Sequence, residues 1–274
     1  MAEYKIVATD LDGTLLNSHG RVSEENWEAI AQMTARGVQL VPCTGRTLHE
    51  MDPSIRDNPY VRYIIHSDGA VIYDKKTDRR ITMCMPQALT SRLFDVLDEY
   101  STLMAVRYAR NVYMNAEQMN GETMDAFGID PYSRTEVMPR STKVREFARL
   151  CRSMEEIEMI GVFFHTVQER DACIARLEAM DEFLFARWVG LNYCEIFSKR
   201  AGKGNALLRL ADEIGCTHAE TIGVGDSTND WTLIQSAGLG LAMKNAFESL
   251  KSEADEVICH CDEHAMQYIL NHYL

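Results

Sequence analysis

Residues 5–14 constrain the fold more than any other stretch, because a short apolar run there ends in two aspartates one residue apart. The continuous Ile-Val-Ala run at 6–8 is typical of a parallel strand that is buried on both faces. Gly13 marks the turn that follows, so Asp10 and Asp12 are expected at the carboxyl end of this strand. Ligands bind at that edge of open α/β sheets.

Two carboxylates this close repel each other unless a cation or a proton intervenes. Oxygen ligands with no nearby His or Cys favour a hard ion, and Mg²⁺ prefers one or two carboxylates together with water and phosphate oxygens. The alternative is an ordinary Asp-Gly turn in a loop. Residues 5–14 alone support both interpretations equally, so the rest of the chain has to decide between them.

The charge balance excludes several classes of partner. Of the 274 residues, 28 are Lys or Arg and 41 are Asp or Glu, which gives a net charge of −13. A field of this sign repels polyanions, so we expect no nucleic-acid or membrane partner. No apolar stretch approaches the roughly 20 residues that span a bilayer, and we therefore expect a cytoplasmic protein.

Cysteine usage favours reduced thiols over a disulfide framework. The eight cysteines are scattered mostly singly through apolar runs, as buried free thiols are. Only Cys259 and Cys261 cluster, with His260 between them and His264 close by. A zinc site needs four ligands in workable geometry, and His260 is poorly placed to join the two thiols. We interpret this segment as a strand end followed by a helix start.

An alternation of strands and helices follows the first acidic turn. A helix over 23–35 begins with a capping serine, and a strand over 38–41 completes a β-α-β unit whose crossover should be right-handed. A third strand is predicted over 62–66. All three strands end in polar loops that contain glycine, and the carboxyl ends of parallel strands share one edge. These loops therefore predict a catalytic cleft.

The rhythm changes over 84–190, where helices, paired strands and a proline-containing loop predict an inserted α+β module. The earlier alternation returns with a helix that opens at Lys203 and a strand over 221–225. The predicted class is α/β, with a Rossmann-like, doubly wound parallel-sheet core over 1–83 and 191–274. The module over 84–190 would be a cap inserted into that core.

Polar segments at strand ends and helix starts carry complementary chemistry. Asp10 can attack an electrophile and form an aspartyl-phosphate. Asp12 can donate a proton to the leaving oxygen and later take one from water. Asp226, with Asp230 as a supporting acid, would complete a magnesium site. Donors for the phosphoryl oxygens are Thr44, the Gly45 N–H, Lys203 at its helix start, and Asn229.

Each of these residues also has a purely structural interpretation. Lys203 can be a solvated lysine at a helix start, and Asp226 and Asp230 can be acids that complement a helix dipole. Arg46 is equally consistent with an ion pair and with a position that lines the cleft. The structural interpretation is preferred for any one residue taken singly, and the functional one for the set.

Four segments together resemble the haloacid dehalogenase-like hydrolase superfamily. They are Asp-Leu-Asp-Gly-Thr-Leu (10–15), Thr-Gly-Arg (44–46), Lys-Gly (203–204) and Gly-Asp-Ser-Thr-Asn-Asp (225–230). Their spacing resembles the Cof-type branch, in which a substantial α/β cap is inserted between the second and third segments. The resemblance covers most of the core, whereas the cap is matched only by position and size.

The resemblance implies roles for individual residues. Asp10 would be the nucleophile and a Mg²⁺ ligand, Asp12 the acid/base and a ligand through its backbone carbonyl, and Asp226 the third protein ligand. The phosphate would be held by Thr44, Gly45, Lys203, Asn229 and the backbone N–H of Leu11. The chain departs from the family in two places: Asp68 stands where Asn is frequent, and Lys244 stands where a small residue is common.

The implied activity is that of a magnesium-dependent phosphoric monoester hydrolase. Its substrate would be a small phosphorylated metabolite, with a sugar phosphate favoured, and the cap would close over the cleft and choose the leaving group. Asp12 argues for ester hydrolysis, since dehalogenases of the superfamily lack an aspartate there. Two rivals stay open, a phosphomutase or phosphotransferase that passes the group to a sugar hydroxyl, and a non-catalytic sugar-phosphate sensor.

Overall fold

The computed structural model describes residues 4–131, 133–187 and 190–274. Its strands, in chain order, are β1 (Ile6–Thr9), β2 (Gln39–Pro42), β3 (Tyr63–His66), β4 (Val71–Asp74), β5 (Arg79–Thr82), β6 (Met85–Pro86), β7 (Leu103–Tyr108), β8 (Asn111–Asn115), β9 (Thr142–Val144), β10 (Glu156–Ile157), β11 (Met159–Phe163), β12 (Phe183–Arg187), β13 (Tyr193–Ser198), β14 (Thr221–Gly225), β15 (Leu239–Ala242) and β16 (Glu256–Val257).

The α-helices, in chain order, are α1 (Glu24–Ala35), α2 (Pro53–Arg56), α3 (Gln87–Leu97), α4 (Gly121–Ala126), α5 (Met138–Arg140), α6 (Phe147–Ser153), α7 (Val167–Glu178), α8 (Lys203–Ile214), α9 (Trp231–Ser236), α10 (Glu248–Lys251) and α11 (Ala265–Tyr273). Short 3₁₀ segments lie at Ala116–Gln118, His218–Glu220 and Thr228–Asp230, and a π-helical turn lies at Ser133–Val137.

Two compact units divide the chain. The first comprises Met1–Gly45, Asp52–Thr82 and Gly202–Leu274. The second comprises Arg46–Met51 and Met83–Ala201. None of the helices in the described ranges is long and apolar enough to cross a membrane.

A parallel sheet organises the first unit. Its strand order is β16-β15-β14-β1-β2, and every pairing within it is parallel. Isolated parallel bridges extend β2 to β3, which opens the antiparallel ladder β3-β4-β5. The four residues of β1 are fully buried, as the continuous apolar run at 6–8 predicted. The helix expected over 23–35 begins where Ser23 Oγ accepts a hydrogen bond from the Asn26 N–H at 3.2 Å.

An antiparallel sheet organises the second unit, with the strand order β12-β13-β11-β7-β8-β9. Only its last pairing, between β8 and β9, is parallel among the described ladders. Helices α3, α6 and α7 pack their apolar side chains against one face, together with residues such as Val106 and Ile160. Part of the opposite face is covered by a smaller apolar cluster that includes Leu103, Phe127 and Phe163.

The boundary that we predicted at residue 190 differs from the structure. β13 was assigned to the core, yet it pairs with both β11 and β12 in the sheet of the second unit. A hairpin keeps its two strands side by side, so a boundary at the Gly190 turn would split one ladder. β12 is described to Arg187, and Trp188 and Val189 lie outside the described residues. The segment Arg46–Met51 was also not expected in the second unit.

Candidate active site

Asp10 directly follows β1 and is 6% exposed. Its backbone N–H donates to the Val224 carbonyl of the neighbouring β14 at 2.9 Å, which extends the parallel ladder by one residue. The chain then turns at Gly13, whose φ is +80°. A Cβ atom at that position would lie 2.5 Å from Asp226 Oδ2. Glycine is therefore required both by the turn and by the close approach of the second acidic loop.

Asp226 follows β14, so the carboxyl ends of adjacent parallel strands bring it next to Asp10. One carboxylate oxygen from each of Asp10, Asp226 and Asp230 lies within 4.8 Å of the others. We call these three side chains the acidic triad. Thr14 Oγ1 donates to Asp226 Oδ1 at 3.3 Å. The structure therefore brings together acids that lie more than two hundred positions apart in the sequence.

Lys203 is the first residue of α8, and its side chain is fully enclosed. Its Nζ donates to Asp10 Oδ1 at 2.6 Å and to Asp230 Oδ1 at 2.5 Å. The other carboxylate oxygen of Asp230 accepts the N–H groups of Asp226 and Ser227, both at 3.0 Å. Lys203 Nζ therefore neutralises two members of the acidic triad, and its role in holding the phosphate stays a prediction. Asp230 positions both the lysine and the loop that carries Asp226.

Charge in this pocket is unbalanced, since three carboxylates face one ammonium group. Burial, followed by the field of Asp230, raises the pKa of Asp10 well above its usual range, and Lys203 only partly offsets this. Burial and Asp230 also raise the pKa of Asp226 to about 7. The donor atoms of the acidic triad are all oxygens, which suits a hard divalent cation. Such an ion would neutralise the remaining charge.

Asp12 lies outside the acidic triad, and its side chain is exposed. Its negative charge nevertheless contributes to the raised pKa values of Asp10 and Asp226. The backbone at Asp12 forms a bridge with Leu16 that closes the loop after β1. A carboxylate near the buried acids that still reaches solvent can exchange protons with a reacting group.

Asp68 connects the segments from which we expected phosphate donors. It is 1% exposed, and its Oδ1 accepts a hydrogen bond from Asn229 Nδ2 at 2.9 Å. Its backbone N–H donates to the carbonyl of Thr44, and a Cβ atom at Gly45 would lie 3.3 Å from its carboxylate. Within the described parts of the chain, Asp68 Oδ2 is buried without a hydrogen-bond partner. The extra charge noted in the sequence thus lies beside Thr44, Gly45 and Asn229.

The turn that carries Asp68 has an uncommon backbone. Ser67, Asp68 and Gly69 have φ values of 50°, 49° and 84°, which side chains other than glycine rarely adopt. The Gly202 N–H donates to the Asp68 carbonyl at 2.9 Å, and a Cβ atom at Gly69 would collide with the Gly202 carbonyl oxygen. This turn is therefore fixed against the residue that precedes Lys203. Such strain is typical of functional sites.

Asn245, which sequence reasoning missed, joins three segments of the site. Its Nδ2 donates to the Gly13 carbonyl at 2.7 Å, and its Oδ1 accepts the Cys261 N–H at 3.0 Å. The Phe247 N–H also donates to the Asp226 carbonyl at 3.1 Å. Asn245 follows the end of β15, so the rule that directed attention to Asp10 and Asp226 applied to it as well.

Three further residues singled out in the sequence lie at separate places. Leu11 is buried in the loop after Asp10, where its carbonyl accepts the Leu16 N–H at 2.8 Å. Arg46 follows Gly45 directly but belongs to the second unit, where it is half-buried. Lys244 is exposed, and its N–H donates to the Cys259 carbonyl at 3.0 Å.

Residues 7–270 match a family model described as haloacid dehalogenase-like hydrolase. The chain belongs to the haloacid dehalogenase-like hydrolases. Phosphatase YwpJ of Bacillus subtilis (strain 168) is 30% identical to this hydrolase over 98% of the chain and 100% of the relative. The 5-amino-6-(5-phospho-D-ribitylamino)uracil phosphatase YwtE of the same strain is 26% identical, over 98% of each chain.

A solved structure of a haloacid dehalogenase-like hydrolase from B. subtilis superposes on this hydrolase with a TM-score of 0.82. It is 29% identical and covers 98% of this chain and 100% of its own. The predicted family with its Cof-type branch, the α/β fold class and the phosphoric monoester hydrolase class are confirmed by these comparisons. Hydrolases of this family generally use a divalent metal.

Proposed function

We propose that this protein is a Mg²⁺-dependent phosphatase that hydrolyses a small phosphorylated metabolite, with a sugar phosphate favoured, through an aspartyl-phosphate formed on Asp10. The observation that carries the proposal is the acidic triad with Lys203 at the carboxyl edge of the parallel sheet. Two buried carboxylates and the half-buried Asp226, with one ammonium group, leave a negative pocket. A negative pocket attracts a cation, and a cation bound there would attract the negatively charged phosphate.

Asp10, Asp226 and the backbone carbonyl of Asp12 would hold the Mg²⁺. All of these donors are oxygens, and burial together with the negative field of Asp230 raises the pKa values of Asp10 and Asp226. The bound ion would offset the repulsion between the Asp10 carboxylate and the phosphate, which eases their approach. Asp230 is a supporting residue, because both of its oxygens already accept hydrogen bonds from Lys203 and from backbone N–H groups.

In the first step, a carboxylate oxygen of Asp10 forms a bond to phosphorus as the ester oxygen departs. Asp12 donates its proton to that oxygen, so the alcohol leaves neutral. In the second step, Asp12 takes a proton from water, and the resulting hydroxide attacks phosphorus and releases Asp10 with inorganic phosphate. The exposed carboxyl of Asp12 supports this role, since it reaches solvent while Asp10 is enclosed.

Donors beside Asp10 would stabilise the charge on the phosphoryl oxygens. The donors proposed for this role are Thr44, the Gly45 N–H, Lys203, Asn229 and the Leu11 N–H, and Lys203 also holds the nucleophile. An amide group carries two N–H donors, and the hydrogen bond to Asp68 uses one of those on Asn229. The other can be given to a phosphoryl oxygen.

We assign the choice of leaving group to the second unit. Phosphatases of this family share the chemistry of the acidic edge. The parts of these proteins that differ must therefore recognise the rest of the substrate. The relative YwtE, by its name, acts on a phosphate that a ribityl chain carries. This supports a sugar or polyol phosphate as the substrate class of the present chain.

The test is phosphate release from a panel of phosphorylated sugars, nucleotides and vitamin-derived phosphates, with and without Mg²⁺. We expect turnover that EDTA abolishes and Mg²⁺ restores. Asp10→Asn should lower kcat by roughly 10⁴-fold or more, as the loss of a nucleophile does. Its circular dichroism spectrum and melting temperature should stay close to those of the parent.

Two outcomes would overturn the proposal. Tight binding of sugar phosphates without any turnover by the wild-type protein would favour a sensor. Transfer of the phosphoryl group to an added sugar, with no release to water in its absence, would favour a mutase or phosphotransferase.

A further inference from the structure

A second group of metal-ligating side chains lies in the first unit, in the turn over 260–263. One atom from each of His260, Cys261 and Asp262 lies within 4.8 Å of the others. We call these three residues the thiol cluster. Cys261 is buried, but His260 is half-buried and Asp262 is exposed, so solvent reaches the cluster. The reaction proposed above does not use it.

The sequence argued against a zinc site in this segment, because His260 is poorly placed to join the thiols of Cys259 and Cys261. The structure brings together a different set of ligands, in which the third member is the Asp262 carboxylate. Four protein ligands are also not required, since some zinc sites have three protein ligands and keep the fourth position for water. A site on these three residues therefore avoids both objections.

The distances within the thiol cluster distinguish a metal site from an ordinary hydrogen-bonded turn. His260 Nδ1 lies 3.6 Å from Cys261 Sγ and 3.4 Å from Asp262 Oδ2. A charge-assisted hydrogen bond between the ring and the carboxylate would be about 2.7–2.9 Å long, so the observed pair is too far apart. Tetrahedral zinc with typical bond lengths places a nitrogen ligand about 3.6 Å from a sulfur ligand and about 3.4 Å from an oxygen ligand. The observed separations match both of these values.

The ring nitrogen that faces the other two ligands is an acceptor. His260 Nδ1 accepts a hydrogen bond from the Asp262 N–H at 3.3 Å, so in the neutral ring the proton is on Nε2. A neutral imidazole nitrogen is the commonest metal ligand in proteins. In a catalytic triad the nucleophile and the carboxylate contact opposite ring nitrogens, whereas here both face Nδ1. The arrangement therefore favours a metal site over a nucleophilic cysteine.

Hydrogen bonds hold the turn in place before any ion binds. The Glu263 N–H donates to the His260 carbonyl, and the His260 N–H donates to Glu263 Oε2, both at 2.8 Å. Asp262 Oδ1 accepts the Ser18 N–H at 2.8 Å, while its Oδ2 lies nearer the ring nitrogen. Ligands that are already held lose less conformational freedom on binding, which favours affinity.

The donor set of the thiol cluster selects the metal. A thiolate, an imidazole nitrogen and a carboxylate oxygen suit Zn²⁺, whereas Mg²⁺ prefers oxygen ligands in octahedral geometry. The acidic triad, whose donor atoms are all oxygens, has the opposite preference. The first unit therefore presents two metal-ligating groups of different chemistry.

We propose that His260 Nδ1, Cys261 Sγ and Asp262 Oδ2 form a Zn²⁺ site with water as its fourth ligand, separate from the site assigned to Mg²⁺. Binding forms a zinc–sulfur bond and releases the thiol proton to solvent, because the thiolate is the form that ligates the metal. This inference goes beyond the proposed phosphatase function and does not depend on it.

Two hydrogen bonds connect the thiol cluster to the acidic edge of the same unit. The Cys261 N–H donates to Asn245 Oδ1, and Asn245 Nδ2 donates to the carbonyl of Gly13, which is the turn that approaches Asp226. A zinc ion that fixes residues 260–262 would therefore also stabilise the turn after Asp12.

The experiment measures Zn²⁺ and Co²⁺ binding to the full chain in an excess of Mg²⁺, which occupies the acidic triad. We expect one Zn²⁺ per chain to survive gel filtration, and bound Co²⁺ to give a cobalt–thiolate charge-transfer band in the near ultraviolet. Cys261→Ser should remove that band. It should also weaken Zn²⁺ binding, measured against a chromogenic chelator, by about 100-fold or more, since losing a residue that merely orients a ligand already costs about 10–100-fold.

The matched control is Cys216→Ser, which also removes a thiol from the first unit. Cys216 is a half-buried free cysteine that does not belong to the thiol cluster. Its replacement should leave both the Zn²⁺ affinity and the cobalt band unchanged.

The inference is overturned if no Zn²⁺ is retained in Mg²⁺, if Mg²⁺ displaces it, or if both serine variants weaken binding equally. If Cys261→Ser does not show a cooperative melt, Asp262→Asn takes its place, because this residue is exposed and the amide oxygen can still accept the Ser18 N–H. Its Zn²⁺ affinity should fall by about 10-fold or more, and an unchanged affinity would contradict the site. None of these measurements uses turnover, so their failure would leave the phosphatase proposal untouched.

Discussion

The two compact units place polar side chains on a sheet in different ways. In the first unit, Asp10 and Asp226 lie just beyond the carboxyl ends of adjacent parallel strands. In the second unit, Arg107 and Glu195 project from within antiparallel strands that a third strand separates. In the first arrangement the polar side chains lie where strands end, so each one belongs to a short, recognisable run of residues. The second comes from cross-strand register, so its members share no local pattern.

The units also differ in how their buried charges are balanced. In the first, Lys203 donates to Asp10 and Asp230 and is itself fully enclosed. In the second, Arg107 lies 3.4 Å from Glu50 Oε2 and 3.9 Å from Glu195 Oε1. Both carboxylates have other partners, since Glu50 accepts the Thr47 N–H and Glu195 accepts the Tyr193 hydroxyl. The acidic triad of the first unit therefore depends more strongly on Lys203 than the carboxylates of the second unit depend on Arg107.

Replacing Lys203 in the first unit and Arg107 in the second tests this difference. In EDTA, Lys203→Met should lower the free energy of unfolding by about 3–5 kcal/mol, the typical cost of breaking a buried ion pair on one side. Arg107→Met should cost less, about 1–3 kcal/mol, because its carboxylates keep other donors. Urea denaturation followed by hydrogen exchange would report each unit separately.

Arg209→Met is the control, since this arginine lies on α8 like Lys203 but is largely exposed. Its effect should stay within about 0.5 kcal/mol. Equal losses for Lys203→Met and Arg107→Met would remove the distinction between the two units.

A pair of glycine substitutions sharpens the comparison. Gly69→Ala should destabilise the first unit by about 2 kcal/mol or more, because alanine disfavours a φ of +84° and its Cβ atom would collide with a backbone carbonyl. Gly161→Ala should cost less than about 1 kcal/mol, since its Cβ atom meets the hydroxyl end of Tyr193, which can move. Thermal melts of both variants measure this. A larger loss for Gly161→Ala would contradict the assignment of rigid backbone contact to the first unit.

The units should also differ in their response to pH. The pKa of Asp226 is raised to about 7, above its unfolded value of about 3.9, so its ionisation destabilises the folded state. Without metal, the first unit should lose stability, and its melting temperature should fall, as pH rises from about 4 to 7. Mg²⁺ should reverse that loss, and its affinity should weaken below pH 7.

The second unit should respond in the opposite direction. Because the pKa of Glu50 is lowered, its contribution to stability is present above its unfolded pKa of about 4.3 and is lost as pH falls through the folded value. Between pH 5 and 8 the stability of the second unit should therefore stay constant. Hydrogen exchange at both pH values, corrected for intrinsic rates, checks this, and a parallel change in both units would contradict it.

Much of the first unit could be predicted from local pattern. The apolar run before Asp10 and the helix over 23–35 each carry their signal within a dozen residues, and the rule for parallel strand ends indicated that Asp226 would lie near Asp10. The partner of Lys203 could not be predicted, because the packing of α8 on the sheet decides whether its ammonium group faces phosphate or acids. Asn245 follows a strand end, but its two hydrogen bonds depend on contacts remote in sequence.

The second unit was harder to predict, for a physical reason. Hairpin strands can be recognised by their alternation, yet the sheet to which a hairpin belongs is fixed by distant pairings, so the boundary at residue 190 was misplaced. The charge of Arg107 within the apolar strand Leu103–Tyr108 was a usable signal. Its partners Glu50 and Glu195 lie too far away in sequence for any local pattern to reveal them.

The interior position of β1 in the parallel sheet has a consequence for biosynthesis. β1 pairs with β2 on one side and with β14 on the other, yet about two hundred residues separate it from β14. At a translation rate of roughly 5–20 residues per second, this strand waits about 10–40 s on the ribosome before its second neighbour exists. Its Ile-Val-Ala edge is free to associate with other nascent chains during that time. The yield of native protein therefore depends on what shields this edge until synthesis is complete.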